Sequence, residues 1–424
     1  MIRFLIKGIL RDKNRSVLPV AVISIGVFLT VLFSAWFKGI LGDMVDVNAN
    51  FSTGHVKVMS RAYADNIEQM PNDLALLEVS QLIDSLSAEF PTLEWVERIH
   101  FGGLLDVPGP DGETRAQGMA TGQAIDFFGP GTREPERMNI PSSIVRGSLP
   151  DEPGEALVSN DFAERFGIKV GDPITLFGAT MYGGMAFTNF TVAGTVRFGM
   201  RALDRGAILI DITDAQAALD MADAAGEVLG FFKDGKYHRE EALQVKTAFN
   251  ARYEGDADEF APTMIRLNDQ KGLDEYLTMM DYVAGAMTFI FILAMSIVLW
   301  NTGLLGGLRR YNEFGIRLAM GEEKGHIYRT LIIEAVVVGI IGSVIGTCLG
   351  LSAAWYLQEY GLNFGAAVQG GGMMMPEVFR ADIEPEAFYI GFIPGLVSMA
   401  LGNALSGIGI YKRRTAVLFK ELSV

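Results

Sequence analysis

Hydrophobic and polar positions fall into two patterns along this chain of 424 residues. Uninterrupted apolar runs cover residues 16–37, 282–308, 335–358 and 387–411, each reaching the ~20 residues that a bilayer-crossing helix needs. Residues 41–276 carry short alternating runs and amphipathic stretches instead, the mark of a folded α+β domain. Together these predict an α-helical membrane protein with four transmembrane helices and a large α+β extracytoplasmic domain inserted between the first and second. The expected segments are 1–40 with the first transmembrane helix, 41–276 as the outer domain, and 277–424 as a C-terminal domain. That last segment holds the second to fourth helices (the third counted from 330), a connector helix over 309–325 and an outer loop over 359–386.

Cationic flanks stay on the cytoplasmic side of a membrane, so the distribution of Lys and Arg sets the orientation. Arg3, Lys7, Arg11, Lys13 and Arg15 precede the first run, Arg309, Arg310, Arg317, Lys324 and Arg329 follow the second, and Lys412, Arg413, Arg414 and Lys420 close the chain. All three regions are expected inside. The connector between the third and fourth runs holds Glu359, Glu377, Asp382, Glu384 and Glu386 against Arg380, which places it outside with the large domain. The first run exceeds the apolar core of a secretory signal and is followed by Trp36-Phe37-Lys38-Gly39, not by small residues, so it is expected to be a retained span.

Within the outer domain, residues 54–58 alternate like a half-buried strand. Asn72 is expected to cap a helix that sets Leu74, Leu77, Leu82, Ile83 and Leu86 on one face and stops at Pro91. Ser159 is expected to cap a helix over 161–166 that Gly167 ends, after which Gly171-Asp172-Pro173 turns the chain into a strand over 174–177. Residues 190–196 and 206–212 suggest strands, Thr213 the cap of a helix reaching 222, and 240–253 another helix. The Gly- and Pro-rich stretch 126–205 is expected to form a subdomain inserted into a core built from its flanks.

Half of the residues are hydrophobic, 20% are charged, and the net charge is -15, which gives no support to nucleic-acid binding. Gly230-Phe231-Phe232-Lys233-Asp234-Gly235-Lys236 has the spacing of a phosphate-binding loop, in which backbone amides wrap the phosphates and the lysine reaches the terminal groups. Tyr237 stands where a Ser or Thr hydroxyl would hold magnesium, so a hairpin turn is expected. His55, His100, His238 and His326 are scattered, and Asp256, Asp258 and Glu259 lack the spacing of a calcium loop. The single cysteine, Cys348, has no partner for a disulfide and is expected to be a small packing residue. No catalytic residue, metal or cofactor is expected on this chain.

The apolar runs hold more information. Gly342, Gly346 and Gly350 recur at four-residue steps, leaving one helix face nearly bare so that a neighbouring backbone can approach. Phe28, Leu32, Phe33 and Trp36 in the first run, with Met287, Phe291 and Met295 in the second, are bulky and polarizable, suited to an adaptable lipid or acyl cavity or to plain lipid contact. Glu334 is an acid inside an apolar run. Such a charge needs a partner or a route to water, and Arg317 and Arg329 are the expected partners. Gly370-Gly371-Gly372-Met373-Met374-Met375 suggests an apolar-tipped loop at the outer face.

The connector Arg309-Arg310-Tyr311-Asn312-Glu313-Phe314-Gly315-Ile316-Arg317-Leu318-Ala319-Met320-Gly321, with Leu331-Ile332-Ile333-Glu334-Ala335 after it, resembles the signature of MacB/FtsX-type ABC transporter permeases. The tail from Ile410-Tyr411-Lys412-Arg413-Arg414 to Lys420-Glu421 is similar to that family's basic closing segment. Phe314 stands where the family commonly has Ile, and Glu322 and Glu323 follow where basic residues are common. The resemblance implies a coupling helix built from Glu313, Phe314, Gly315, Ile316, Arg317, Ala319, Met320 and Gly321. In that reading Ile316, Ala319 and Met320 enter a groove on a soluble ATPase, and Glu313 pairs with Arg317. It implies a non-catalytic permease subunit in a bacterial inner membrane, both termini cytoplasmic, moved by a separate ABC ATPase dimer that binds ATP and Mg, and paired with a second permease subunit.

Residues 53–58 further resemble the start of the outer domain in lipoprotein-releasing (LolC/LolE-type) permeases. That implies extraction of lipoproteins from the inner membrane, membrane lipids as contacts, and transfer to a periplasmic lipoprotein carrier. A MacB-like export permease and an FtsX-like transmembrane signal transducer remain the alternatives.

Overall fold

The computed structural model describes residues 13–109, 111–198, 201–255, 258–270, 273–364 and 378–412. The basic residues before Lys13, Asp256, the run from Gly370 to Met375 and the tail beyond Lys412 lie outside them. The described residues fold into two compact units, one of residues 13–43, 278–364 and 378–412, the other of those within 44–277.

The first unit is helical apart from one short antiparallel strand pair, Leu362–Asn363 with Val378–Phe379. Helix α1, Lys13–Asn48, runs on through a π-helical turn, Ala49–Thr53. The remaining helices of this unit begin with α6, Leu273–Leu308, followed by α7, Tyr311–Ala319, and α8, Lys324–Tyr360. The last crossing starts as a 3-10 turn, Pro385–Phe388, widens into a π-helical stretch, Ile393–Ser398, and ends as α9, Met399–Lys412. Pro394 lies in that stretch, where its missing N–H leaves the regular ladder unable to form. Among the described residues four helical segments are long and apolar enough to cross a membrane: Val17–Thr53, Leu273–Ala319, Lys324–Tyr360 and Pro385–Ile408. The first three outrun the apolar stretches because helix-compatible polar residues continue the ladder at both ends.

Close backbone approach organises this unit. An added Cβ at Gly39 would collide with the Arg380 carbonyl, and the Asp382 N–H donates to the Ala35 carbonyl at 2.9 Å. Lys38 pairs with Glu384 and, at 3.1 Å, with Glu386. The acidic segment 380–386 is therefore fastened along α1.

The second unit is α+β. Its strands are β1 Val56–Ser60, β2 Leu76–Leu77, β3 Leu93–Pro108, β4 Thr114–Ile125, β5 Ile144–Gly147, β6 Glu155–Ser159, β7 Pro173–Ala179, β8 Met185–Val196, β9 Ala207–Asp211, β10 Ala224–Ala225, β11 Glu227–Phe232 and β12 Pro262–Arg266. Its longer helices are α2 Val79–Glu89, α3 Asn160–Phe166, α4 Ile212–Ala218 and α5 Arg239–Asn250. The main sheet runs β12-β1-β11-β3-β4-β9-β6-β8-β5, and β7 pairs with both β3 and β8. The pairings β3-β4-β9-β6-β8-β7-β3 thus close into a ring. Leu105, Ala124, Val158, Ile174, Phe190 and Ile208 belong to one core cluster, joined by Phe162 of α3. On the other face Phe187, Phe177, Leu104 and Met119 stand opposite one another across four strands. The next row is polar and knitted by Thr175 Oγ1 to Asn189 and Gln117 to Asp106 hydrogen bonds.

Several local expectations change. β1 is buried at all five positions, not on alternate ones, because it lies between β11 and β12 and its other face is filled by Lys57 and Met59. The Lys57 ammonium meets Glu227 at 2.8 Å, with both side chains buried. Burial pushes the Glu227 carboxyl up, but Lys57 and His100 outweigh it and hold it below the usual range. Asn72 starts only a 3-10 turn, and α2 begins at Val79, where the Asp223 carbonyl and side chain accept the first amides. Asp211, not Thr213, caps α4 and accepts the Thr213 N–H. Ser159 does cap α3, and Gly167 closes it in the left-handed region at φ 64.

Candidate coupling site

Helix α7 is amphipathic and short, and its two faces lie in different surroundings. Phe314, 2% exposed, packs with Tyr311 against Ile327 and Leu331 of α8, with Leu318 at the margin. The Tyr311 hydroxyl donates to the Ser406 carbonyl of α9 at 2.6 Å. Gly315 is buried on the same side. Ile316, Ala319 and Met320 are exposed, Met320 to 75%. The helix ends where Gly321 takes φ 92, a conformation that costs glycine little, and the chain turns into α8.

Charged groups stitch the ends of this helix. Arg317 donates to both oxygens of Glu322, at 2.6 and 2.5 Å, and these hydrogen bonds hold the Glu322 carboxyl below the usual range. The expected Glu313–Arg317 pair is not formed, because the turn at Gly321 brings Glu322 onto Arg317 and Glu313 lies beside Arg310 at 3.6 Å. The partner of Glu334 is neither Arg317 nor Arg329. Arg310, at the head of α7, donates to it at 2.7 Å, while Arg329 is on the exposed face of α8. α7 is thus tied to α8 by Arg310 and Phe314 and to α9 by Tyr311.

Gly342, Gly346 and Gly350 face α1. A Cβ at each would lie 2.7 Å from Ile23, 2.6 Å from the Ser24 carbonyl and 2.8 Å from Val31, respectively. The order of these contacts makes α1 and α8 parallel. Ser24 adds a hydrogen bond to the Gly342 carbonyl at 3.2 Å. Cys348, expected to pack, is exposed, since it stands two residues, about 200°, from Gly346 on the helix.

The aromatic and methionine candidates divide between two surroundings. Phe33 stacks on Phe291 of α6 with ring centroids 4.4 Å apart. Leu32 and Trp36 pack elsewhere, with Ala35, Ala354 and Ala381. Phe28 and Met295 are half-buried and Met287 is exposed. Gly230 lies inside β11, where a Cβ would meet Trp95 and Val56 at 2.7 Å, so residues 230–236 form a strand, a turn and the approach to α5 in place of a hairpin or a phosphate cradle. Among the described residues no group of three or more His, Cys, Asp or Glu is placed to hold a metal ion. The residues missed in the sequence are Arg310, Tyr311 and Ser406. The alternation of Tyr311, Phe314 and Leu318 was the available signal for the buried side.

Membrane-capable helices with an amphipathic connector docked on them fit a polytopic membrane protein. Comparison with known families supplies the rest. Residues 16–246 match the MacB-like periplasmic core domain, and residues 285–414 match the FtsX-like permease C-terminal family. The chain belongs to the MacB/FtsX-type ABC transporter permease superfamily, a multi-pass inner-membrane class. It is 35% identical over 77 residues to the macrolide export ATP-binding/permease protein MacB of Wolinella succinogenes, covering 18% of this chain and 12% of that one. It is 37% identical over 81 residues to the MacB of Brucella abortus, covering 19% and 12%. The matched segment is thus a small part of either relative. The periplasmic region of MacB from Actinobacillus actinomycetemcomitans overlaps 55% of this chain and 94% of that one at 9% identity, with a TM-score of 0.35, a likeness too loose to bear on mechanism.

Proposed function

We propose that this chain is the permease subunit of an ABC transporter whose ATP is hydrolysed on a separate ATPase dimer, and that it works beside a second permease subunit. The termini and the connector face the cytoplasm, and the MacB-like domain, inserted between the first and second spans, faces the periplasm. The observation that carries this reading is α7: one face is locked onto α8 and α9 while Ile316, Ala319 and Met320 stand free to enter an apolar groove. The parallel course of α1 and α8 supports a common side for the N-terminus and the connector.

The cargo is a lipoprotein, lifted from the inner membrane and handed to a periplasmic carrier. Residues 53–58 and the aromatic and Met side chains of α1 and α6 support it. Each acyl methylene leaving the bilayer costs about 0.8 kcal/mol, so the step must be driven. Export of a soluble substrate is the second reading, favoured by the MacB relatives.

The test is ATP hydrolysis by the chain and its ATPase in nanodiscs, with a triacylated lipoprotein or a macrolide added. Lipoprotein is expected to stimulate hydrolysis and to leave the disc. Stimulation by the macrolide alone selects the second reading. Ile316→Asp with Met320→Asp is expected to weaken ATPase binding by about 100-fold, and unchanged binding would remove α7 from the mechanism.

A further inference from the structure

The π-helical turn that ends α1 is gripped by a side chain with no exposed surface. Arg98 of β3 is 0% exposed, as is its partner Glu134. Its Nη1 donates to the Phe51 carbonyl at 2.6 Å, its Nη2 to the Asn50 carbonyl at 2.8 Å and its Nε to Glu134 Oε2 at 2.7 Å. Gln123 of β4 adds a second donor to the Phe51 carbonyl at 3.3 Å. Behind the pair, Arg137 binds Glu134 and, at 2.8 Å, Glu94, and lies over the Phe231 ring at 4.3 Å. All of these residues belong to the second unit, whereas the helix they hold is continuous with the first span.

The carbonyls at a helix end lack intrahelical partners and carry the negative pole of the dipole. Water or a single amide would satisfy them. A guanidinium is a rigid planar fork, and on two successive carbonyls it fixes the direction of the helix axis as well as its position. Burying that fork is costly without a counter-charge and further hydrogen bonds, and Glu134, itself bound by Arg137, provides them. Burial pushes the Glu134 carboxyl up, but the two guanidinium groups outweigh this and keep it below the usual range.

We infer that Arg98 is a positioning residue, the joint that makes the helix end over residues 44–53 and the β3-β4 part of the same unit turn as one body. This rests on the permease reading, in which motion started at α7 must reach the outer domain.

The experiment uses the full chain with its ATPase in nanodiscs, in a Cys348→Ser background, with spin labels at Gly42→Cys and Lys233→Cys, both exposed positions. A second pair reports the outer domain against α8. In wild type the 42–233 distance is expected to stay narrow and constant through the ATP cycle while the second pair changes. Arg98→Lys keeps the charge and loses the fork. It is expected to broaden the 42–233 distribution and to cut cargo-stimulated hydrolysis about tenfold, with basal hydrolysis unchanged. If Arg98→Lys does not fold, Arg98→Met with Glu134→Met, which removes both charges together, is measured in its place with the same expectation. A variant that keeps the narrow distance and full stimulation overturns the inference, as does a wild-type 42–233 distance that changes with ATP. A wild-type complex in which neither pair responds to ATP and cargo has no effect overturns the permease reading, and the joint with it.

Discussion

The two units of this chain solve the same problem, fixing one element against another, by opposite means. In the helical unit the contact between α1 and α8 is made by removing side chains, so that Gly342, Gly346 and Gly350 admit Ile23, Val27 and Val31. In the sheet unit Lys57 is buried against Glu227 and Arg98 against Glu134. Lipid offers no hydrophobic drive toward association, so helices there gain from close van der Waals approach. Water offers that drive, and the sheet unit can spend stability on buried charge that sets direction. The lesson is that the membrane part is defined by shape and the outer part by polarity.

The strongest way to break this contrast is Arg98→Met alone. It leaves Glu134 buried with one fewer counter-charge and should destabilise the chain by about 3–5 kcal/mol, whereas adding Glu134→Met should restore most of it. Thermal unfolding of the two variants checks this; equal loss in both would mean that packing, not charge, holds the site.

Next comes His55, buried among Phe231, Phe232 and Tyr237 with its Nδ1 accepting the Phe232 N–H at 3.0 Å. Burial lowers its pKa to about 4, with His238 and Arg137 adding to the effect and Asp234 opposing it. The fold holds the neutral ring, so this contribution is complete above the unfolded value of about 6.5 and fades as pH falls toward 4, a loss of about 3 kcal/mol. Unfolding measured from pH 7.5 to 4.5 should show this slope, and His55→Asn should flatten it.

The glycine contact is expected to matter somewhat less. Gly346→Val sets new atoms against the Ser24 carbonyl and Val27 and should cost about 1–3 kcal/mol, while Gly42→Ala, whose Cβ meets nothing, should be near neutral. Steric-trap unfolding in bilayers would separate them. The smallest effect is expected at the half-buried Arg310–Glu334 pair: Glu334→Gln should cost about 1 kcal/mol, and a larger loss would bring buried charge into the membrane part after all.

What could be read in the sequence divides along the same line. Apolar runs and the glycine spacing are local patterns, and the helices and the bare face of α8 follow from them directly. The outer domain depends on partners far apart in the chain. Nothing near Asn72 reveals that α2 starts at Val79, because the cap arrives from Asp223, 143 residues beyond Ser80. Lys57 looks like the solvent side of a half-buried strand until Glu227 is placed beside it. At the candidate coupling site the amphipathic pattern of α7 was legible, but the ion pairs were not, since the turn at Gly321 decides which acid each arginine can reach.

The even four-residue spacing on both sides of the α1–α8 contact has a mechanical consequence. Ile23, Val27 and Val31 mesh with Gly342, Gly346 and Gly350 like the teeth of a rack. Sliding one helix by four residues, about 6 Å, sets two of the three teeth into the next notches and brings the third against Val338 or Ala354, according to the direction. Intermediate shifts drive valines against backbone, so this pair of helices has discrete stops, one turn apart, and not a continuous glide.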